Sequence, residues 1–396
     1  MYRVLLFLIL GLDSSVLLYQ ISTLSISSHE ISILYGDFSF LQLIIQSSLS
    51  IFEDRDYGLR IPMILLHISS VLLLYNVSRE YLKDKRNRIW LVIIFILLPG
   101  VISSALIIDN AGLIMFSLLL FANIYTYFEK KYVYLTLLVL SIIDGGLIYL
   151  FLSLIFYSLH IKDKSFFIYN TVLFIFSFSF YGIKTGGAPA GYLLDTIGLY
   201  SAVLSPIIFI YIFYVLYKRY FTKEIDVIWF ISSIPLVFSL LISLRQKIYI
   251  EEFAPYIIMA LLPSAQTFYS SYRVRLNIFR NRYKMIFRLS FIFLTLNFLI
   301  IIFNKEIYLY IDKPKKNFAY KMHIAKELAL NLKNNNINCV KTDNEMAKRL
   351  EFYSISKCDK NILKKDKTKN FKNSNVTISY RNRIIYGAIV TKTDIK

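Results

Sequence analysis

Ile89-Trp90-Leu91-Val92-Ile93-Ile94-Phe95-Ile96-Leu97-Leu98-Pro99-Gly100-Val101-Ile102-Ser103-Ser104-Ala105-Leu106-Ile107-Ile108 contains no charged side chain, and its reading decides the class of the protein. An α-helix needs ~20 apolar residues to cross a ~30 Å hydrocarbon layer, and this run is of that size. Comparable runs cover residues 111–128, 166–183 and 286–303. They are continuous and do not alternate, so helices and not barrel strands are the spanning element. With 56% hydrophobic residues, 18% charged residues and a mean hydropathy of +0.54, the chain has too many such runs for a soluble globule.

Eleven candidate spans follow, near residues 2–20, 60–77, 89–108, 111–128, 132–144, 146–160, 166–183, 200–217, 226–244, 254–270 and 286–303. In the first, the apolar run 4–19 is preceded by Arg3 alone, contains Asp13 and lacks a small-x-small cleavage site, so it reads as a retained span and not a removed signal peptide. Asp144-Gly145-Gly146 breaks the fifth run from the sixth, which makes that pair short or tilted. Lys and Arg set the orientation. With the N-terminus cytoplasmic, the inner loops hold Arg79 with Lys83 to Arg88, Lys130 and Lys131, Lys162 and Lys164, Lys218 to Lys223, and Arg273 to Arg288. The outer loops hold only Arg55, Arg60, Lys184, Arg245 and Lys247. An integral protein of the cell (inner) membrane is expected. Its net charge of +19 is then largely topogenic and gives no reason to expect a nucleic-acid partner.

Beyond residue 303 hydrophobicity falls and Asn and Lys rise, which sets domains of 1–303 and 304–396, the second extracytoplasmic. In this tail 318–332 has helical patterning, 337–341 reads as a strand, Asp343 caps a second helix through Phe352, and 376–380 and 384–391 read as strands. A small α+β unit results, with 361–374 as a mobile loop. Lys364, Lys365, Lys367, Lys369 and Lys372 form a solvated face or lie against anionic headgroups. Cys339 and Cys358, both in the tail, are either a disulfide or two buried thiols. Two cysteines without a histidine cluster fall short of a metal site.

The loops assigned to the outer face carry the candidate chemistry. Glu30 and Asp37 lie in the first, beside His29. Phe38, Leu41, Ile45, Leu49 and Phe52 recur at helical spacing opposite Ser39, Gln42, Gln46, Ser50 and Glu53, as in a helix lying in the interface or packed on the bundle. Arg60 has the planar fork that grips a phosphate oxygen, or serves as an interfacial anchor. Asp109-Asn110 follows the third span, and Arg245, Gln246, Lys247 and Tyr249 precede Pro255-Tyr256. Asp13 reads as mostly structural, and His67 and His160 as packed or interfacial. Gly186 to Gly191 lacks the Lys-Ser/Thr of a phosphate-binding loop.

Glu30 with Tyr35-Gly36, then Leu59-Arg60-Ile61-Pro62, Pro99 and Asp109, and Arg245 ahead of Pro255-Tyr256 and Pro263, resemble the GT-C superfamily of integral-membrane glycosyltransferases. The resemblance leans to the protein O-mannosyltransferase and lipid A aminoarabinose transferase-like group, and it covers most of residues 1–270 through short, degenerate motifs. It implies a GT-C-like bundle that moves a sugar from a polyprenyl-phosphate donor to a lipid, glycan or protein acceptor on the outer face. Where that family shows an acidic pair in the first loop, this chain has His29-Glu30, so the first acid's role passes to Glu30, His29 or Asp37.

The chemistry expected is inverting displacement with a carboxylate base. Glu30 is the base, Asp37 its substitute, and Asp109 orients the acceptor or a metal ion. His29, Arg60, Arg245, Lys247 and Tyr256 bind substrate, the cations favouring departure of the lipid phosphate. No cofactor is assigned, and a divalent metal stays open because two carboxylates do not define a site. The rival readings are a transporter or flippase of a lipid-linked saccharide and a catalytically degenerate scaffold. The transporter reading needs broken spans in inverted repeats, which the sequence does not display.

Overall fold

The computed structural model describes residues 1–183, 185–366 and 374–392. The described residues are mostly helical. The first helices are α1 (Tyr2–Thr23), α2 (Ser28–Leu34), α3 (Phe40–Ile51), α4 (Arg55–Tyr81), α5 (Lys85–Leu97), α6 (Pro99–Leu106), α7 (Asn110–Tyr127) and α8 (Lys130–Ile143). A single 3-10 turn, Gly145–Leu147, leads into α9 (Ile148–Ile161) and then α10 (Lys164–Tyr181). After β1 (Thr185–Gly186) come α11 (Leu193–Leu204), α12 (Pro206–Thr222), α13 (Val227–Ser243), β2 (Lys247–Ile248), α14 (Ile250–Met259), α15 (Leu261–Val274) and α16 (Asn277–Ile302). The tail adds α17 (Ala325–Asn334), β3 (Cys339–Lys341), α18 (Asn344–Phe352), β4 (Ser356–Lys365), β5 (Val376–Tyr380) and β6 (Arg383–Lys392).

Each of the eleven apolar runs falls on helix. Among the described residues, four helices are long and apolar enough to cross a membrane unaided: α1, α4, α7 and α16. Six spans result if two bent pairs each count as one, α5 with α6 at 62° and α11 with α12 at 106°. These are the dimensions of a membrane protein. The bends correct the expectation of unbroken spans over 89–108 and 200–217, and their cause is local. Leu98 and Ser205 each precede a proline, whose ring disfavours the helical conformation one residue back. Leu98 is extended at ψ 130°, and Ser205 takes a φ of 70°, in the left-handed region.

The chain divides into two compact units. The helical unit comprises Met1–Ser14, Ser39–Leu41 and Met63–Phe298. Its core is a continuous apolar cluster that includes Val92, Phe95, Leu118, Phe121, Leu150, Phe151, Ile231 and Ile257. Aspartates open several of its helices by accepting from backbone N–H groups that have no partner inside the helix: Asp163 from Phe166 in α10 and Asp226 from Trp229 in α13. In α3, Leu41 and Ile45 are buried while Phe40, Leu43 and Ile51 are exposed, so both of its sides carry apolar residues.

The mixed unit comprises Ser15–Phe38, Gln42–Pro62 and Leu299–Lys396. Its sheet has the order β3-β4-β6-β5, with β3 parallel to β4 and the other pairs antiparallel. Val340, Leu350, Leu363, Ile378 and Ile385 meet Leu328 and Leu332 of α17 in its core. Cys339 and Cys358 are bonded, with Cα atoms 5.4 Å apart. The strand β4 corrects the expected loop over 361–374. Its residues 356–365 read as polar, but pairing with β3 on one side and β6 on the other places it inside the sheet. Residues 367–373, with Lys367, Lys369 and Lys372, and likewise Lys184, lie outside the described residues.

The early segment is bonded into this unit across nearly the whole length of the chain. Ser25 N–H donates to Met322 O (2.7 Å), Ile26 N–H to Tyr353 Oη (3.0 Å), and Arg349 Nε to Ile26 O (2.9 Å). Asp56 accepts from Tyr353 Oη at 2.7 Å and pairs with Lys326 at 2.6 Å. His323 is buried, with Nδ1 2.9 Å from Tyr308 Oη and Nε2 2.8 Å from Asn304 Oδ1. Asn304 gives its amide hydrogens to Ile301 O, so its oxygen must accept, Nε2 carries the proton and Nδ1 accepts from Tyr308. Burial, and then the nearby Lys305 charge, depress the imidazole to about 3, and it is neutral at pH 7.

Candidate functional site

Glu30 and Arg60, both expected at the reaction centre, are joined in the mixed unit and fully buried. Ser27 is the N-cap of α2, and Glu30, three residues on, completes a capping box: Ser27 Oγ accepts from Glu30 N–H, and Glu30 Oε2 accepts from Ser27 N–H at 2.8 Å. Arg60 then closes on the carboxylate with two bonds, Nε to Oε1 at 3.1 Å and Nη2 to Oε2 at 3.0 Å. Its fork also donates to Leu24 O (2.9 Å) and Ser25 O (3.1 Å). Every nitrogen of Arg60 is engaged, and the geometry gives the pair a structural role in holding the first loop. Asp37 and His29, by contrast, are exposed.

The other expected residues lie in the helical unit. Asp109 is the N-cap of α7, half-buried, accepting from Ala111 N–H at 2.8 Å. Asp144 opens the 3-10 turn before α9 by accepting from Gly146 N–H at 2.7 Å. Gly146 joins three elements: its carbonyl accepts from the buried Tyr256 Oη of α14 at 2.7 Å, and the Ile114 side chain of α7 packs over its Cα. The 3-10 turn that opens α9 therefore packs against the second turns of α7 and α14. Glu252 in the first turn of α14 is buried, and it and Asp144 both lie within electrostatic range of Tyr256. Tyr149 of α9 stands edge-on to Tyr256, ring centroids 6.2 Å apart, and also lies within electrostatic range of Glu252. Arg245 and Lys247, both exposed, lie on and just before β2, which pairs with β1 and leads into α14.

One end of the helical unit thus carries Asp109, Asp144, Glu251 and Glu252 at the starts of helices, with Arg245, Lys247 and two buried tyrosines. Dipoles at helix N-termini favour negative charge, which is why the sequence can keep carboxylates there. Among the described residues no group of three or more His, Cys, Asp or Glu is placed to hold a metal ion. What the arrangement offers is acid–base chemistry beside surface cations. Glu251-Glu252 is not among the residues expected from sequence, although two adjacent acids at the mouth of an apolar helix carry the same signal as Glu30.

A second pair is likewise not expected from sequence. Asp13 of α1 and His67 of α4, both buried, are 2.8 Å apart through Oδ2 and Nε2, and His67 stacks on Phe95. Asp13 Oδ1 has no hydrogen-bond partner among the described residues. A charge inside an apolar span calls for a partner, and His67 in the next apolar span was the available one.

No protein-family model and no curated protein matches the sequence.

Proposed function

We propose that the chain is a GT-C-like glycosyltransferase of the cell membrane, with eleven spans and a cytoplasmic N-terminus. It moves a sugar from a polyprenyl-phosphate donor to a lipid, glycan or protein hydroxyl on the outer face. The observation that supports this reading most is the packing of α7 and α14 on the turn before α9 at Gly146, which puts the acid-bearing starts of these three helices at one end of the unit with Arg245 and Lys247. Asp109, less buried than Asp144 and Glu252, is the base. It takes the proton of the acceptor hydroxyl as the oxygen attacks the anomeric carbon. The bond from that carbon to the phosphate oxygen breaks, its electron pair leaves with the lipid phosphate, and configuration inverts. Arg245 and Lys247 offset the charge that gathers on the leaving group. Glu30 keeps its ion pair with Arg60 and takes no proton.

The test is consumption of polyprenyl-phosphate hexose and pentose donors by the full chain in proteoliposomes, followed as release of free polyprenyl phosphate. Asp109→Asn is expected to slow release by about 10²- to 10⁴-fold, the usual range for a lost general base. Undiminished turnover in both Asp109→Asn and Glu252→Gln removes the proposal.

The bent pairs favour one other reading. α6 packs against α11, with Gly100 lying against Val203, so the shorter pieces of two broken spans meet, as they do around sites in transporters. A transporter of lipid-linked saccharide would move the donor between leaflets with its sugar intact, and the same assay distinguishes the two.

A further inference from the structure

Away from the acids, α5, α12, α15 and α16 border a groove in the helical unit whose lining is almost wholly apolar. Ile94, Ile208, Ala265, Phe268, Phe287 and Leu294 are representative of its walls. Within the walls, Ser264 Oγ is buried and has no hydrogen-bond partner among the described residues. α16, which forms one side, has only 11% of its apolar window buried within the protein, so its remaining surface is available to lipid.

The groove runs toward the junction of α15 and α16, where the sequence turns strongly basic. Arg273, Arg275, Arg282, Lys284 and Arg288 are exposed, and none forms an ion pair among the described residues. Lys284 and Arg288 follow one residue after the groove-lining Tyr283 and Phe287, so cations and lining share adjacent faces of α16. Arg275 ties the two features together: its guanidinium lies over the Tyr283 ring, 4.3 Å from the centroid. Arg280 donates to the carbonyls of Arg275 (2.9 Å) and Arg273 (3.1 Å), which fixes the turn that presents them. Between the arginines stand Val274 at 87% and Ile278 at 81% exposure, the alternation expected where a segment meets the headgroup layer.

We propose that this groove and its basic collar form a binding site for an anionic membrane phospholipid. An acyl chain lies in the groove against α12, α15 and α16, and the phosphate sits among Arg275, Arg282 and Lys284. Charge complementarity decides the occupant: five cations without acidic partners beside an apolar trough fit an amphiphile with a negative head, and a zwitterionic lipid would leave them uncompensated. The proposal stands apart from sugar transfer, since it uses none of the acids assigned to that reaction.

Native mass spectrometry of the full chain tests it, with the protein in neutral detergent and equal amounts of palmitoyl-oleoyl phosphatidylglycerol and palmitoyl-oleoyl phosphatidylcholine. Retention of phosphatidylglycerol at least tenfold above phosphatidylcholine is expected, and this comparison needs no variant. The triple substitution Arg275→Gln, Arg282→Gln, Lys284→Gln should abolish the preference, and Ala265→Phe, which fills the groove, should lower retention of both lipids. Equal retention of the two lipids by the unaltered chain overturns the proposal. So does displacement of phosphatidylglycerol by an equal concentration of glycerol 3-phosphate, which would leave the groove without a role.

Discussion

Arg60 in the mixed unit and Arg245 in the helical unit are both arginines close to acidic residues at helix starts, yet their surroundings are opposite. Arg60 is fully buried, and all three of its nitrogens are spent on Glu30 and two backbone carbonyls. Arg245 is exposed, ahead of a strand and a helix whose first turn carries Glu251 and Glu252. The same pairing of residue types therefore serves cohesion in one unit and leaves cations facing outward in the other. Saturation, more than residue identity, separates an ion pair that holds a loop from a group available to a substrate.

Substitutions on the two sides sharpen this contrast, beginning with the largest effect. Arg60→Ala strands the Glu30 carboxylate in a buried place, and a loss of about 3 to 5 kcal/mol is expected, as for other broken buried pairs. Thermal or denaturant unfolding of the detergent-solubilised chain should show it, while Arg245→Gln should stay within about 0.5 kcal/mol of the parent. Equal effects from the two substitutions would erase the contrast.

The next effect is a pH dependence confined to the mixed unit. His323 titrates near 6.5 when unfolded and near 3 when folded, so the unfolded chain binds the extra proton between those values. Its contribution is complete above pH 6.5 and declines as pH falls toward 3, by an amount on the order of a few kcal/mol. Unfolding followed from pH 7 to 4 should show a decline that His323→Phe flattens. The smallest effect is at a helix start: Asp343 accepts from Met346 N–H in α18, and Asp343→Ala should cost about 1 kcal/mol.

Local signals were legible in the sequence. The apolar runs fall on helix, the Asp343 cap and strand β5 lie where residue types placed them, and Pro99 and Pro206 mark both bends through the constraint each ring puts on the residue before it. Strand β4 was hidden because its polar sequence becomes a strand only through neighbours on either side. At the candidate site, Asp109 and Asp144 stand at helix starts that residue type alone suggests, but their placement at the same end of the unit as Glu252 depends on how α7, α9 and α14 pack at Gly146. The bonds of Glu30 to Arg60, and of Asp13 to His67, are likewise products of tertiary packing that no spacing encodes.

The hydrogen bonds from Ser25 and Ile26 to Met322 and Tyr353 have a consequence for biogenesis. The ribosome makes the early partners long before the late ones, so the first loop waits through synthesis of the whole helical unit with these donors still seeking acceptors. A nascent chain cut short after α16 would leave Asp56 without Lys326 and Tyr353, and quality-control proteases would meet an unfinished loop at its very beginning.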